Sequence, residues 1–357
     1  MALIQSPPSR AASAAPPVAA WIQSVHPGAA LLALVLLIMP AIASPFILIQ
    51  IFAWSYMLGV IALSLMFLAG YGGMVSLAQV TLAGFAGYMT AILGVNGQPG
   101  GMGWPWWVAA PIAILLTLVF GAIVGALAVR TEGIYMIMIT LAIAAAFYYF
   151  TNENYAIFNG HTGINAIPTP HVLGVDWHAP TPFYYLTLAV SGLCWLAVAY
   201  VSRSPFGLAL QGVRDNPRRM AALGFNVNAH RVAAYVFAAL LAAVGGILLV
   251  WSYGEIAPGT VSVSAAIDIL VIAVVGGLGD PIGPFIGALI YAVLKTFALD
   301  ILVALGLDGN RFRLLIGLGF LVVVFFSPDG VVGLWRRWRS RARGGDGRSR
   351  VEGRRDG

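Results

Sequence analysis

Long apolar runs joined by short polar turns make up most of this chain, and one long segment breaks the pattern. Apolar residues dominate 28–43, 46–69, 74–95, 108–128, 133–150, 182–201, 232–254, 265–299 and a last stretch from Arg311 to near Phe326. A bilayer crossing needs about 20 such residues. The 265–299 run is too long for one crossing and is interrupted by Gly276-Gly277-Leu278-Gly279-Asp280-Pro281-Ile282-Gly283-Pro284. Two shorter helices on either side of that break bring the expected total to about ten. The pattern therefore predicts an all-α integral membrane protein with about ten transmembrane helices and a broken glycine-rich segment.

The exception is 203–231, the only long polar segment between apolar runs. It carries Arg203, Arg214, Arg218, Arg219 and Arg231 against a single acid, Asp215. By the positive-inside rule it lies on the cytoplasmic side. The loop at 151–181 contains no lysine or arginine and is expected outside. Counting crossings from either loop puts both termini in the cytoplasm, with Arg311 and Arg313 as the exception. Within 203–231, Pro217 precedes a helix-favouring run, Met220-Ala221-Ala222-Leu223, which Gly224 stops. Such a helix suits a membrane domain that receives mechanical work from a soluble partner. The alternative is a basic loop that only fixes orientation.

Composition narrows the class. Of 357 residues, 60% are hydrophobic and 9% charged, against roughly 25% charged in soluble domains. The net charge of +6 does not point to nucleic acid, because nine of the 19 basic residues follow Leu334 in a tail suited to a lipid surface. This divides the chain into a disordered 1–27, a transmembrane domain over 28–333 and a basic cytoplasmic tail over 334–357. Ala41-Ile42-Ala43 also imitates a signal-peptidase site, leaving cleavage as an alternative. Cys194 is the only cysteine, and His161, His171 and His178 lack metal-site spacing. Lys295 is the only lysine and has no Gly-Lys-Ser/Thr context, so the chain has no ATP-binding loop of its own. It also lacks a G-x-S-x-G or H-E-x-x-H pattern, which argues against a membrane enzyme.

Candidates for a translocation path are polar or glycine residues inside apolar runs. Ser76, Gln79, Thr81, Tyr135 and Thr140 can bond a zwitterion or a backbone gap, with helix–helix hydrogen bonding as the alternative. Gly276, Gly277 and Gly279 belong to the break. Residues 72–93 and 276–294 both begin with paired glycines, an echo that suggests an internal repeat with a midplane site. Close helix packing explains the glycines equally well. Glu255, Asp268 and Asp280 are the acids nearest the membrane and read as solvated or capping groups. An ion-coupled secondary transporter of a small neutral or zwitterionic solute would need an intramembrane carboxylate with a partner, and the sequence displays no evident pair.

Four stretches in order resemble the permease subunits of ABC importers for branched-chain amino acids, the LivM type of the LivH/LivM family. They are the block from Gly70 to Leu93, with Ser76, Leu77 and Gln79 matching and Ala78 in place of the usual glycine. Next comes the Arg130–Ala144 stretch, and then Arg214-Asp215-Asn216 with Ala221-Ala222-Leu223-Gly224. The last is the 268–290 block with Gly276, Gly277, Gly279, Gly283 and Pro284. The outer loop departs from the family, since Asn159 and His161 flank Gly160. The resemblance implies a transport subunit of the bacterial inner membrane with no cofactor of its own. ATP would be bound by two cytoplasmic ATPase subunits, and a second permease subunit and a periplasmic solute-binding protein would complete the importer. It implies that Arg214, Asp215, Asn216, Arg218, Arg219, Ala221, Ala222 and Gly224 couple the chain to those ATPases. The solute would be a branched-chain or other hydrophobic amino acid, with amides, urea and aromatic acids open.

Overall fold

A computed structural model describes residues 27–95, 101–167, 170–172, 175–177, 179–304, 317 and 330–333. The expected disorder over most of 1–27, the last crossing near 311–326 and the basic tail at 334–357 lie outside the described residues. The helix α1 (Pro27–Ile42) forms a unit of its own, separate from the compact unit that begins at Pro45.

The second unit is helical. Its first helix, α2 (Pro45–Tyr71), is followed by α3 (Gln79–Gly94), α4 (Trp106–Ala128) and α5 (Ile134–Glu153). After the 151–181 loop come α6 (Pro180–Arg203), α7 (Pro205–Asp215) and α8 (Pro217–Ala222). The order closes with α9 (Val227–Tyr253), α10 (Val263–Gly276) and α11 (Gly283–Ala304). The only ladder among the described residues pairs His171 with Asp176 and Val172 with Val175. Among the described residues α2, α4, α5, α6 and α9 are long and apolar enough to cross a membrane.

One boundary differs from the hydropathy pattern. The run at 74–95 is helical only from Gln79, because 73–78 adopts irregular backbone that is apolar enough to look like helix. The long 265–299 run does divide at its glycines, into α10 and α11.

The core forms where α9 packs on α2, α3 and α4. Small residues permit that approach. A Cβ on Gly246 of α9 would strike the backbone of Ala83, and one on Gly121 of α4 would strike Ala239. With no difference in apolarity between lipid and side chain, such close packing is what holds membrane helices together. α2 contains two π-helical segments, Leu48–Ala53 and Phe67–Tyr71, each accommodating a residue beyond the α repeat. The antiparallel pair α10–α11 lies against α2, with Phe285 filling the space over Gly59.

Candidate functional site

The 203–231 loop is built by capping residues. Ser204 Oγ accepts from Gly207 N–H at 3.3 Å to start α7, and Asn216 Oδ1 accepts from Arg219 N–H at 3.0 Å to start α8. Pro205 and Pro217 occupy first-turn positions, where a missing N–H costs nothing. Asn226 Oδ1 takes the Ala229 N–H at 3.1 Å and opens α9. Gly224, at φ +90°, makes the turn that ends α8. Met220 folds back over Gly212, fastening α8 to α7.

The eight residues expected to couple the chain to ATPases divide into two groups. Arg218, Arg219, Ala221, Ala222 and Gly224 are exposed, and α8 buries none of its residues. Asn216 is the α8 cap. Arg214 instead reaches the membrane domain. Its guanidinium donates to the Gly70 carbonyl at the end of α2 and pairs with Asp215 Oδ1 at 2.9 Å, while its stem covers Gly73. Gly70 in turn abuts the Leu278 carbonyl, within the break between α10 and α11. One arginine thus connects the polar loop to both glycine-containing breaks.

At the first break, Ser76, Gln79, Thr81 and Thr140 are all buried. The Leu77 N–H donates to Thr140 Oγ1 at 3.1 Å, and the Ala78 N–H to Ser76 Oγ at 3.2 Å. Ser64 Oγ lies 2.9 Å from Gln79 Oε1 and 2.6 Å from the Ile61 carbonyl. The bonds to Thr140 and Ser76 satisfy backbone that the helix has released, as apolar surroundings require. Gln79 Nε2 and Thr81 Oγ1 have no hydrogen-bond partner. Tyr135 is not brought to this cluster; it stands 71% exposed at the start of α5.

At the second break Gly276 and Gly277 are buried and Gly279 is exposed. Gly277 has φ +111°, and a Cβ on Gly276 or Gly287 would meet the backbone of the opposite helix. A small cavity lies toward the other end of the molecule, lined by Ile61, Val80, Gly84, Gly246, Tyr253 and Glu255. Among the described residues no group of three or more histidines, cysteines or acids could hold a metal.

Sequence reasoning missed one constellation. Lys295 Nζ lies over the Trp54 ring, 4.4 Å from its centroid. The two residues are far apart along the chain, and the packing of α11 on α2 brings them together. The visible signal was Lys295 itself, a charge within an apolar run.

The chain is 23% identical over 301 residues to the high-affinity branched-chain amino acid transport system permease protein LivM of Escherichia coli K12, covering 78% of this chain and 66% of that protein. It therefore spans slightly under two thirds of that relative's length. It is 32% identical over 135 residues to the permease protein BraD of Pseudomonas aeruginosa, covering 38% and 42% of the two chains. It is also 30% identical over 117 residues to the nucleoside ABC transporter permease protein NupC of Lactococcus lactis, covering 32% and 35%. No solved structure matches the chain. The apolar helices and these relatives together make it a multi-pass membrane protein. Residues 47–324 match the family described as the branched-chain amino acid transport system / permease component, and the chain belongs to that family.

Proposed function

We propose that the chain is the membrane-spanning permease subunit of an ABC importer. It moves branched-chain or other hydrophobic amino acids across the bacterial inner membrane, with both termini in the cytoplasm. ATP is bound and hydrolysed by two cytoplasmic ATPase subunits, so the chain needs no cofactor and is not itself an enzyme. A second permease of the same family and a periplasmic solute-binding protein complete the assembly. The observation that carries this reading is the loop from Ser204 to Asn226. It presents an exposed short helix outward and, through Arg214 and Gly70, grips the membrane domain inward. A partner that pushes α8 therefore has a direct mechanical path to the breaks beside α2.

Ala222→Trp tests it. Ala221 and Ala222 permit close approach of a partner, and Arg218 and Arg219 can pair with acids at its rim. Hot-spot truncations cost about 2 kcal/mol or more at such interfaces, and added bulk prevents docking altogether. The variant should insert normally in the membrane, fail to co-purify with the ATPases and lose ATP-driven uptake in proteoliposomes. Normal uptake without any ATPase present would overturn the reading.

A second reading has its own observation. Lys295 is a charged group within an apolar run, where ionisable residues are functional candidates by default, and an ion-coupled secondary transporter of a neutral or zwitterionic solute would use such a group. Uptake by the purified chain alone, driven by an ion gradient, would favour this reading.

A further inference from the structure

The cavity at the far end of the molecule from the 203–231 loop has a buried apolar interior and a polar mouth. Ile61, Val80 and Val250 line it from buried positions, while Tyr253, Glu255 and Thr260 line it from exposed ones. The lining runs from Tyr253 at the end of α9 back to Gly246, two turns or about 10 Å. Its volume is about 50 Å³, several times what one water needs. Water gains little in such an apolar space, and a short hydrocarbon chain fills it favourably.

The mouth is preformed. Glu255 lies in the turn after α9, and that turn is tied to the 151–181 loop. Ile164 and Ile256 exchange N–H···O bonds at 2.9 Å, and the Ile167 N–H donates to the Gly254 carbonyl at 2.9 Å. Gly163 packs so closely that a Cβ there would strike the Ile256 carbonyl. Both chain neighbours of Glu255 are therefore held by backbone bonds. Among the described residues its carboxylate takes part in no hydrogen bond or ion pair. The inner end of the cavity meets the first break. Val80 follows Gln79 in the chain, and the Ile61 carbonyl accepts from Ser64 Oγ, which also contacts Gln79. A group lodged there bears on α2 and α3 beside that break, and Arg214 holds the far end of α2.

We propose that this cavity is a solute-binding pocket, in which the Glu255 carboxylate receives the ammonium of an amino acid and the space over Ile61 and Val80 its aliphatic side chain. The solute's own carboxylate stays at the mouth, in water. The assignment rests on the importer reading for the class of solute. What the pocket recognises is an ammonium joined to a branched hydrocarbon, with the carboxylate contributing little. A cavity left only by imperfect packing would not distinguish solutes by that pairing of charge and shape.

Analogues of one solute separate these cases. The protein is reconstituted in proteoliposomes with its native partners but without the solute-binding protein, whose docking could itself shield the mouth. Thr260→Cys, at the exposed rim and in a Cys194→Ala background, is treated with a water-soluble thiol reagent. Modification of this chain is followed by mass. The probes are L-leucine, isoamylamine, which is leucine without its carboxylate, and isocaproate, which is leucine without its ammonium. L-leucine and isoamylamine should protect the introduced cysteine, and isocaproate should not. At about ten times the half-protecting concentration, modification should slow about tenfold, because mass action leaves about a tenth of the sites open. Glu255→Gln should raise that half-protecting concentration about fivefold, the worth of a well-formed ion pair at the water's edge. A cysteine that resists the reagent, isocaproate protecting as well as leucine, or protection unchanged in Glu255→Gln each overturns the pocket. ATP-driven leucine uptake, measured in Cys194→Ala with the binding protein restored, tests the importer reading separately. Uptake without protection keeps the importer and removes the pocket. Protection with uptake that does not depend on ATP keeps the pocket and removes the importer, and neither protection nor uptake removes both.

Discussion

The two breaks begin from similar sequence, paired glycines within an apolar run, and are stabilised by different physics. The first, before α3, is stitched by side chains: Thr140 and Ser76 accept backbone N–H groups, and Ser64 meets Gln79. The second, between α10 and α11, relies on absent side chains, with Gly276, Gly283 and Gly287 allowing backbones to touch. Hydrogen bonds hold the first in one geometry, with Ser76, Leu77 and Ala78 buried. Backbone contact holds the second, whose tip at Gly279 and Ile282 is exposed. α2 serves both, donating Ser64 to one and Gly70 to the other. A glycine pair in a membrane helix therefore marks a departure from regular structure without saying what replaces it.

The sharpest way to break the comparison is to add a side chain. Gly276→Leu places bulk against the Gly283 carbonyl and the Pro284 nitrogen. Overpacking costs about 1–3 kcal/mol or more, and here the obstacle is backbone that cannot rotate away. We expect loss of folded protein, measured as the fraction recovered monodisperse from detergent, and normal recovery would show that the hairpin is not glycine-dependent.

Arg214→Gln acts between the breaks. It removes the guanidinium that bonds the Gly70 carbonyl while leaving the exposed face of α8 intact. Uptake per ATP hydrolysed should drop about tenfold, within the 5–150-fold range of typical coupling energies, with the ATPases still co-purifying. Loss of co-purification would instead assign Arg214 to docking.

Thr140→Val should have the smallest effect. It leaves the buried Leu77 N–H without its acceptor, and interhelical hydrogen bonds in membranes average about 0.6 kcal/mol. Thermal unfolding in detergent should shift down slightly with the fold preserved. A collapse as severe as that of Gly276→Leu would erase the distinction between the two breaks.

Much of this was legible because membrane insertion writes itself into composition. The apolar runs located the helices, and Pro217 and Gly224 bracketed α8. The start of α3 was not legible, since Met74, Val75 and Leu77 are as apolar in irregular backbone as in helix. Periodicity gives no warning when hydrogen bonds are replaced by side-chain partners such as Thr140, remote in sequence. Among the residues proposed to couple the chain to ATPases, Arg218, Arg219, Ala221 and Ala222 are exposed, whereas the turn of Arg214 toward the membrane domain depends on the Gly70 carbonyl. The path candidates Ser76, Gln79 and Thr140 are close together, but Tyr135 lies elsewhere because its position at the start of α5 faces outward.

The two π-helical segments of α2 have a consequence for how its sequence is read. Each wide turn adds one residue, which rotates everything beyond it by about 100° relative to an unbroken α-helix. Gly59, which receives Phe285, lies before the second of these turns, and Gly70, which abuts Leu278, lies within it. The two glycines thus belong to different phases of one rod. A relative without the extra residue needs a one-residue gap within 67–71 for its glycine to reach the same carbonyl. Uninterrupted alignment through that point would compare residues on different faces.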